Sequence, residues 1–242
     1  MDEVEPLETK QVVEFSHAGK PIKFYIDRPD DHIQGIQSLG KFYEIEMLEK
    51  LRTLIPWSAT VLDIGANVGN HTIYFGHFCT TKKIIPFEPN PRLAAVLSKN
   101  VALNNLANVD LSLLRFALGS SQRRARIYVQ NLQNWGNGYL IPEEESRALP
   151  TGTFAAPVDV CTLDSLKLEE VHVIKIDVEG HEAEVLRGAH ATIVDHRPVI
   201  LVEIGTDRLG EIAELLTPLG YQAIDCFQQY GGQWNLLYVR VR

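Results

Sequence analysis

The chain has 242 residues, 45% of them hydrophobic and 22% charged, and a formal net charge of -8. That size and balance suit one α/β domain with a small appendage. The acidic balance argues against long duplex nucleic acid as a partner, since phosphate binding needs a basic face, and no apolar run approaches membrane-spanning length.

Met1 to Pro6 is acidic and lacks the apolar core of a signal peptide. Cys79, Cys161 and Cys226 are scattered and odd in number, with neither a disulfide framework nor zinc-ligand spacing. They read as small hydrophobes in a reducing compartment. A cytoplasmic protein without nucleic-acid or membrane partners is expected, and a homodimer stays open.

Met1 to Lys10 reads as a solvated end. Gln11 to Asp27 carries two β-type runs around Ser16–Pro21, which predicts a hairpin. Phe42, Ile45, Leu48, Leu51, Leu54 and Ile55 fall at helical spacing, and Pro56 closes that helix. Residues 1–56 therefore read as an N-terminal hairpin-and-helix extension, and 57–242 as the main domain.

That domain opens with a β-branched run, Thr60 to Ile64, then Gly65 and Gly69, then an apolar helix over Ile73 to Phe78. This is a strand, a tight turn and a helix start, where glycines let a ligand approach bare backbone and free N–H groups gather partial positive charge. Lys83 to Glu88 predicts a second strand, Arg92 to Leu103 an amphipathic helix, and Val109 to Phe116 a third strand. Arg123 to Pro157 has no helical period and reads as an excursion beside the sheet, with a strand over Arg126 to Val129 and a loop from Glu143 to Thr153. Strands at Val171–Asp177 and Pro198–Ile204 alternate with helices at Glu182–Ala189 and Arg208–Leu216. A closing antiparallel hairpin pairs Tyr221–Phe227 with Trp234–Val241. Near-continuous apolar strands between helices imply a Rossmann-like, mostly parallel sheet covered on both faces.

Ligands of such sheets sit beyond the carboxyl ends of the strands. Glu88, Asp177 and Glu203 occupy that edge, and Asp63 precedes the turn. A carboxylate ending the second strand can accept hydrogen bonds from both hydroxyls of an adenosine ribose; Glu88 is the candidate, a charge at the next helix start being the alternative. The dinucleotide fingerprint G-x-G-x-x-G fails, because Asn67 and Asn70 stand where its later glycines belong. That disfavours NAD or FAD. It leaves an adenosine with a small polar tail, and S-adenosylmethionine (SAM) fits.

The stretch Asp63-Ile64-Gly65-Ala66-Asn67-Val68-Gly69-Asn70-His71-Thr72 resembles the glycine-rich motif of class I SAM-dependent methyltransferases, and its Ala-Asn variant resembles the FkbM family. Phe87–Pro91, Thr162–Leu166, Ile174–Glu182, Arg197–Glu203 and the upstream Phe42-Tyr43-Glu44 agree in order. The resemblance implies a seven-stranded sheet whose last strand runs antiparallel. It implies that Asp63, Gly65, Ala66, Asn67 and Gly69 surround the methionine end of SAM, that Glu88 holds the ribose, and that Phe116 and Ala117 flank the adenine. Asp177 would face the methionine end or the acceptor, and His71 would reach the SAM carboxylate or cap its helix.

An activated methyl group needs in-line placement of a nucleophile, and an alcohol also benefits from a base. Asp177, Glu179 and His181 are the candidate bases. Asp177 with Glu203 could form a carboxylate pair for Mg²⁺, but helix-start and cofactor-positioning roles are the preferred reading, and no metal is expected. The family resemblance implies O-methylation of a small-molecule hydroxyl acceptor such as a sugar or natural product. N- or C-methylation and a non-catalytic SAM-binding subunit are the alternatives. Trp135 and Tyr139 either wall the acceptor or pack under their own loop, and Tyr43 and Glu44 could close the site from the other side.

Overall fold

A computed structural model of the chain describes residues 11–143, 150, 152–229 and 231–241. The expected solvated end, 1–10, and most of the 143–153 loop lie outside them. Gln11–His17 (β1) and Lys20–Ile26 (β2) form the antiparallel N-terminal hairpin. Two short helices follow, His32–Ser38 (α1) and Ile45–Arg52 (α2). The main sheet starts with Ala59–Ile64 (β3), Asn70–Phe78 (α3), Thr81–Phe87 (β4) and Pro91–Leu103 (α4).

The excursion is more ordered than its composition suggests. Ala117–Leu118 (β5), Arg123–Val129 (β6), Tyr139–Pro142 (β7) and Phe154–Cys161 (β8) make a second sheet in the order β5-β8-β6-β7. Val173–Ile176 (β9), Glu182–Arg187 (α5), His190–His196 (α6) and Val199–Gly205 (β10) return to the main sheet. Leu209–Leu216 (α7), Tyr221–Gln228 (β11) and Gln233–Arg240 (β12) complete it.

Among the described residues the main sheet has six strands, ordered β11-β12-β10-β9-β3-β4. Strands β4, β3, β9 and β10 are parallel, and β12 is antiparallel to β10 and β11. The seven-strand expectation is corrected here. The segment 109–116 contributes one bridge, Val109 to Ile84. Beyond it Asp110 accepts from the Ser112 N–H (2.9 Å), and Leu114 and Phe116 donate to carbonyls three residues back. The segment still meets β4 at both ends, where the Asp110 N–H donates to the Ile84 carbonyl (2.8 Å) and the Leu114 carbonyl accepts from the Glu88 N–H (2.7 Å), but the turn bonds between them interrupt a continuous ladder.

Alternate residues of the central strands face opposite cores. Leu62, Ile174, Ile176, Ile200 and Val202 pack with Ala183, Leu186, Ile193 and Ile212 from α5, α6 and α7. Val61, Val173, Leu201 and Leu237 pack with Ile73 and Leu97 and also with Ile22, Phe24, Phe42 and Leu48 from the N-terminal extension. The extension thus shares the second core. Polar bonds reinforce the seam: Asn100 accepts from Tyr25 N–H (2.7 Å) and donates to Val68 C=O (2.7 Å), while Asn104 bridges both backbone groups of Lys23. Among the described residues no helix is long and apolar enough to cross a membrane.

Candidate active site

The strand ends converge on a cleft of about 420 Å³. Its floor is the end of β3. Gly65 has φ 78°, and a Cβ there would lie 1.7 Å from the Asp177 carbonyl oxygen. Two strand-end loops therefore touch backbone to backbone, which only glycine permits. Asn67 is also left-handed (φ 50°) and folds its Oδ1 onto the Val68 N–H at 2.8 Å. That conformation aims the Asn67 N–H at Glu88 Oε2 (2.9 Å), while the Asn90 N–H reaches Glu88 Oε1 (2.8 Å). Glu88 thus lines the cleft with one lone pair on each oxygen already used and one still open. Burial pushes its pKa up to about 7, against the two backbone donors and Lys175.

Beneath the floor lies a buried charge cluster. Lys175 Nζ donates to the Gly65 carbonyl (2.8 Å) and stands 3.4 Å from Asp63 Oδ1 and 3.3 Å from Asp177 Oδ2. Burial opposes its charge, but Asp177, Asp63, Glu44 and Glu203 together hold its pKa above the ordinary lysine value. Asp63 also accepts from the Thr72 hydroxyl at 2.6 Å. Burial, then Asp177 and Glu44, raise the Glu203 pKa above the ordinary carboxylate range.

Glu179, left-handed at φ 49°, lines the cleft next to Asp177. Burial first, and the Asp177 charge second, raise it to about 7. His181 lines the same end, and burial and then Arg123 lower its pKa. Its Nε2 is buried without a hydrogen-bond partner.

Four regions form the walls. Phe116, Ala117 and Leu118 supply an apolar side; Asp31, His32, Ile33 and Tyr43 come from the extension; Ile127, Leu140 and the Asn134–Gly138 turn come from the excursion; Gly231 and Gln233 come from the β11–β12 connection and the start of β12. Trp135 lines the cleft but is largely packed away, between Phe154 (4.8 Å) and the Arg92 guanidinium (4.7 Å). Tyr139 is 41% exposed, packs on Tyr128 and does not line the cleft.

Of the residues expected at the site, Gly65, Asn67, Glu88, Phe116, Ala117, Asp177, Glu179 and His181 line this one cleft. Asp63, Ala66, Gly69 and His71 do not. Asp63 is sealed against Lys175 and Thr72, and Ala66 binds the Phe87 carbonyl. Gly69 is the N-cap of α3 at φ 90°. His71 is buried with Nε2 3.0 Å from Glu44 Oε2, not aimed at the cleft. Sequence reasoning missed the extension's wall residues Asp31 to Ile33. The signal was an Asp N-cap: Asp31 accepts from the Ile33 and Gln34 N–H groups. Among the described residues no group of three or more His, Cys, Asp or Glu side chains is placed to hold a metal.

Residues 63–223 match the methyltransferase FkbM domain model. Methyltransferase sdnD of Sordaria araneosa is 31% identical over 55% of this chain and 61% of its own length. Methyltransferase 1 of Beauveria bassiana is 26% identical over 68% of this chain and 71% of its own. The hexuronic acid methyltransferase AglP of Haloferax volcanii is 31% identical over 52% and 48%. The matches thus span between about half and seven-tenths of these relatives' lengths. Among crystal structures, methyltransferase FkbM from Methylobacillus flagellatus superposes with TM-score 0.55 at 16% identity, covering 86% of this chain and 52% of that one. Trm5b from Pyrococcus abyssi gives 0.52 at 15%, covering 96% and 56%. These likenesses establish a shared fold.

Proposed function

Given that the chain belongs to the methyltransferase FkbM domain family, we propose that it transfers a methyl group from SAM to a hydroxyl oxygen of an uncharged small molecule. The observation that carries this reading is Glu88. Two backbone N–H groups fix its carboxylate at the cleft, with one lone pair per oxygen open to a ribose diol. The remaining lining fits the rest of the cofactor. Phe116, Ala117 and Leu118 offer an apolar face for adenine, and the bare Gly65 backbone beside Asp177 offers room and negative charge for the amino-acid end.

When bound, SAM supplies a methyl group activated on a cationic sulfur. The chain's own task is to hold, orient and deprotonate the acceptor. Glu179 is the proposed base: it lines the cleft, and its pKa of about 7 lets it take a hydroxyl proton near neutral pH. Asp177 and His181 stand at the same end and orient the acceptor.

The lining also speaks to acceptor charge. Among the described residues it carries the carboxyl groups of Asp31, Glu88, Asp177, Glu179 and Glu203 and neither Lys nor Arg. A carboxylated acceptor would meet the Asp177 and Glu179 end of the cleft with no Lys or Arg in the lining to pair with. The name of the Haloferax relative supports a sugar-type acceptor; the acidic lining here favours a neutral sugar or alcohol. Titration calorimetry with SAM, S-adenosylhomocysteine (SAH) and NAD tests the cofactor: SAM and SAH should bind and NAD should not. Absence of binding by both sulfur ligands would refute the reading. Methyl-labelled SAM offered with pools of neutral sugars, uronic acids and hydroxylated natural products then tests the acceptor.

A further inference from the structure

Glu44 does not line the cleft, yet its side chain is only 4% exposed. Its backbone is left-handed (φ 56°), an unusual state for a non-glycine residue. It occupies the N-cap of α2, but its carboxylate makes no capping bond. The side chain instead turns toward the sheet, accepting from Asn235 Nδ2 at 2.9 Å and standing 3.0 Å from His71 Nε2. Asn70 locks this arrangement from the start of α3: its Oδ1 accepts from the Tyr43 N–H (3.0 Å) and its Nδ2 donates to the Tyr43 carbonyl (2.9 Å). Asn235 pairs across the sheet with Glu203, which does line the cleft.

The groups facing Glu44 come from every neighbouring element: His71 on α3, Lys175 on β9, Glu203 on β10 and Asn235 on β12. Around the Lys175 ammonium stand four carboxyl groups, those of Glu44, Asp63, Asp177 and Glu203. The floor therefore holds more acid than base even with Glu203 neutral. A buried surplus of this kind acts over several ångströms, because solvent screens it little.

We propose that Glu44 is a positioning residue for the cofactor: its buried negative charge, delivered by the N-terminal extension, makes the floor prefer the cationic sulfonium of SAM to the neutral thioether of SAH. This rests on the SAM reading above. It gives the extension a part in cofactor turnover, since the spent form is held less firmly than the loaded one.

The test is calorimetry of SAM and SAH on the wild type and Glu44→Gln near pH 6, where the raised Glu203 pKa favours its neutral form. The amide keeps an oxygen for Asn235, removes the charge, and turns an NH₂ toward His71 Nε2, which a neutral imidazole can accept. SAM should weaken by about threefold to tenfold while SAH changes by less than about twofold. Equal weakening of both ligands would mean a merely structural anchor, and no change in either would mean no role; both results overturn the proposal. If the variant does not fold, the wild type decides. SAM and sinefungin, which carries an amine where SAM has its methyl sulfonium, should both bind more tightly than SAH, and SAH binding as tightly as both would overturn it. A wild type that binds neither SAM nor SAH refutes the cofactor reading itself, a distinct outcome.

Discussion

Glu88→Gln tests the ribose assignment most directly. The native carboxylate accepts N–H groups at 2.9 and 2.8 Å, one on each oxygen, and keeps two lone pairs for ligand hydroxyls. The amide has one oxygen. Its NH₂ must face either the Asn67 or the Asn90 N–H, a donor against a donor, which costs about 1–3 kcal/mol of folding stability. It also removes one charge-assisted bond to the ribose, costing about 1.5–3 kcal/mol of binding, or roughly 10- to 150-fold in Kd for SAM and SAH alike. Calorimetry reads the second quantity and urea melts the first. Affinity within about twofold of wild type in a folded variant would refute the assignment. The pH dependence has a definite sign. Burial raises the Glu88 pKa from 4.5 to about 7, so the stability it contributes is full below pH 4.5 and is lost as pH rises through 7. Ligand affinity runs the other way, strengthening over that rise as the acceptor carboxylate forms, and Glu88→Gln should flatten it.

The remaining expectations concern the floor, the seam and the base. Gly65→Ala places a Cβ 1.7 Å from the Asp177 carbonyl oxygen at φ 78° and should yield insoluble protein or abolish SAM binding; a soluble variant with native affinity would show that the strand ends are not in contact. Asn70→Ala strips both Tyr43 backbone groups of their partners, so the melting temperature should fall by about 5–15 °C, and an unchanged melt would mean that the clamp contributes nothing. With an acceptor in hand, the rate should rise with pH through about 7 as Glu179 ionises, and Glu179→Gln should lower kcat by about 10²-fold and erase that rise while SAM affinity holds. Neutral sugars or alcohols should be methylated in preference to uronic acids; equal turnover would show that the lining carboxyls do not face the acceptor.

Legibility in the sequence tracked how local the cause was. Strands β3, β9 and β10 were readable because apolar residues must fill both faces, and Glu88 and Asp177 followed from their place at strand ends. Val109 to Phe116 misled because its apolar residues suited a strand, while short-range turn bonds at Ser112, Leu114 and Phe116 interrupt the ladder between its contacts with Ile84 and Glu88. Strand β8 was hidden by Pro157, which reads as a strand breaker. It is tolerated because β8 is paired there with β6 alone; β5 meets it only at Val160 and Cys161. The partition of the glycine-turn residues between cleft and interior was illegible. Whether Asp63 and His71 face a ligand or another side chain depends on Lys175 and Glu44, which are more than 100 and 20 residues away. Glu44 showed itself in the sequence as part of a matching tripeptide and as a residue that could close the site, with no hint of its buried partners His71 and Asn235.

The seam between the N-terminal hairpin and α4 bears on how such proteins are cut and recombined. The recognisable transferase segment begins at residue 63, but the side-chain amides of Asn100 and Asn104 and the apolar faces of Ile73 and Leu97 are finished only by strands and helices that precede it. A fragment trimmed to the recognised segment would bare that surface and should aggregate. A chimera that exchanges the whole extension, with the hairpin, α1, α2 and Tyr43-Glu44 moved as one cassette, would keep the surface covered while replacing one wall of the cleft. The unit to transplant when altering that wall is therefore the stretch that precedes the matched segment 63–223.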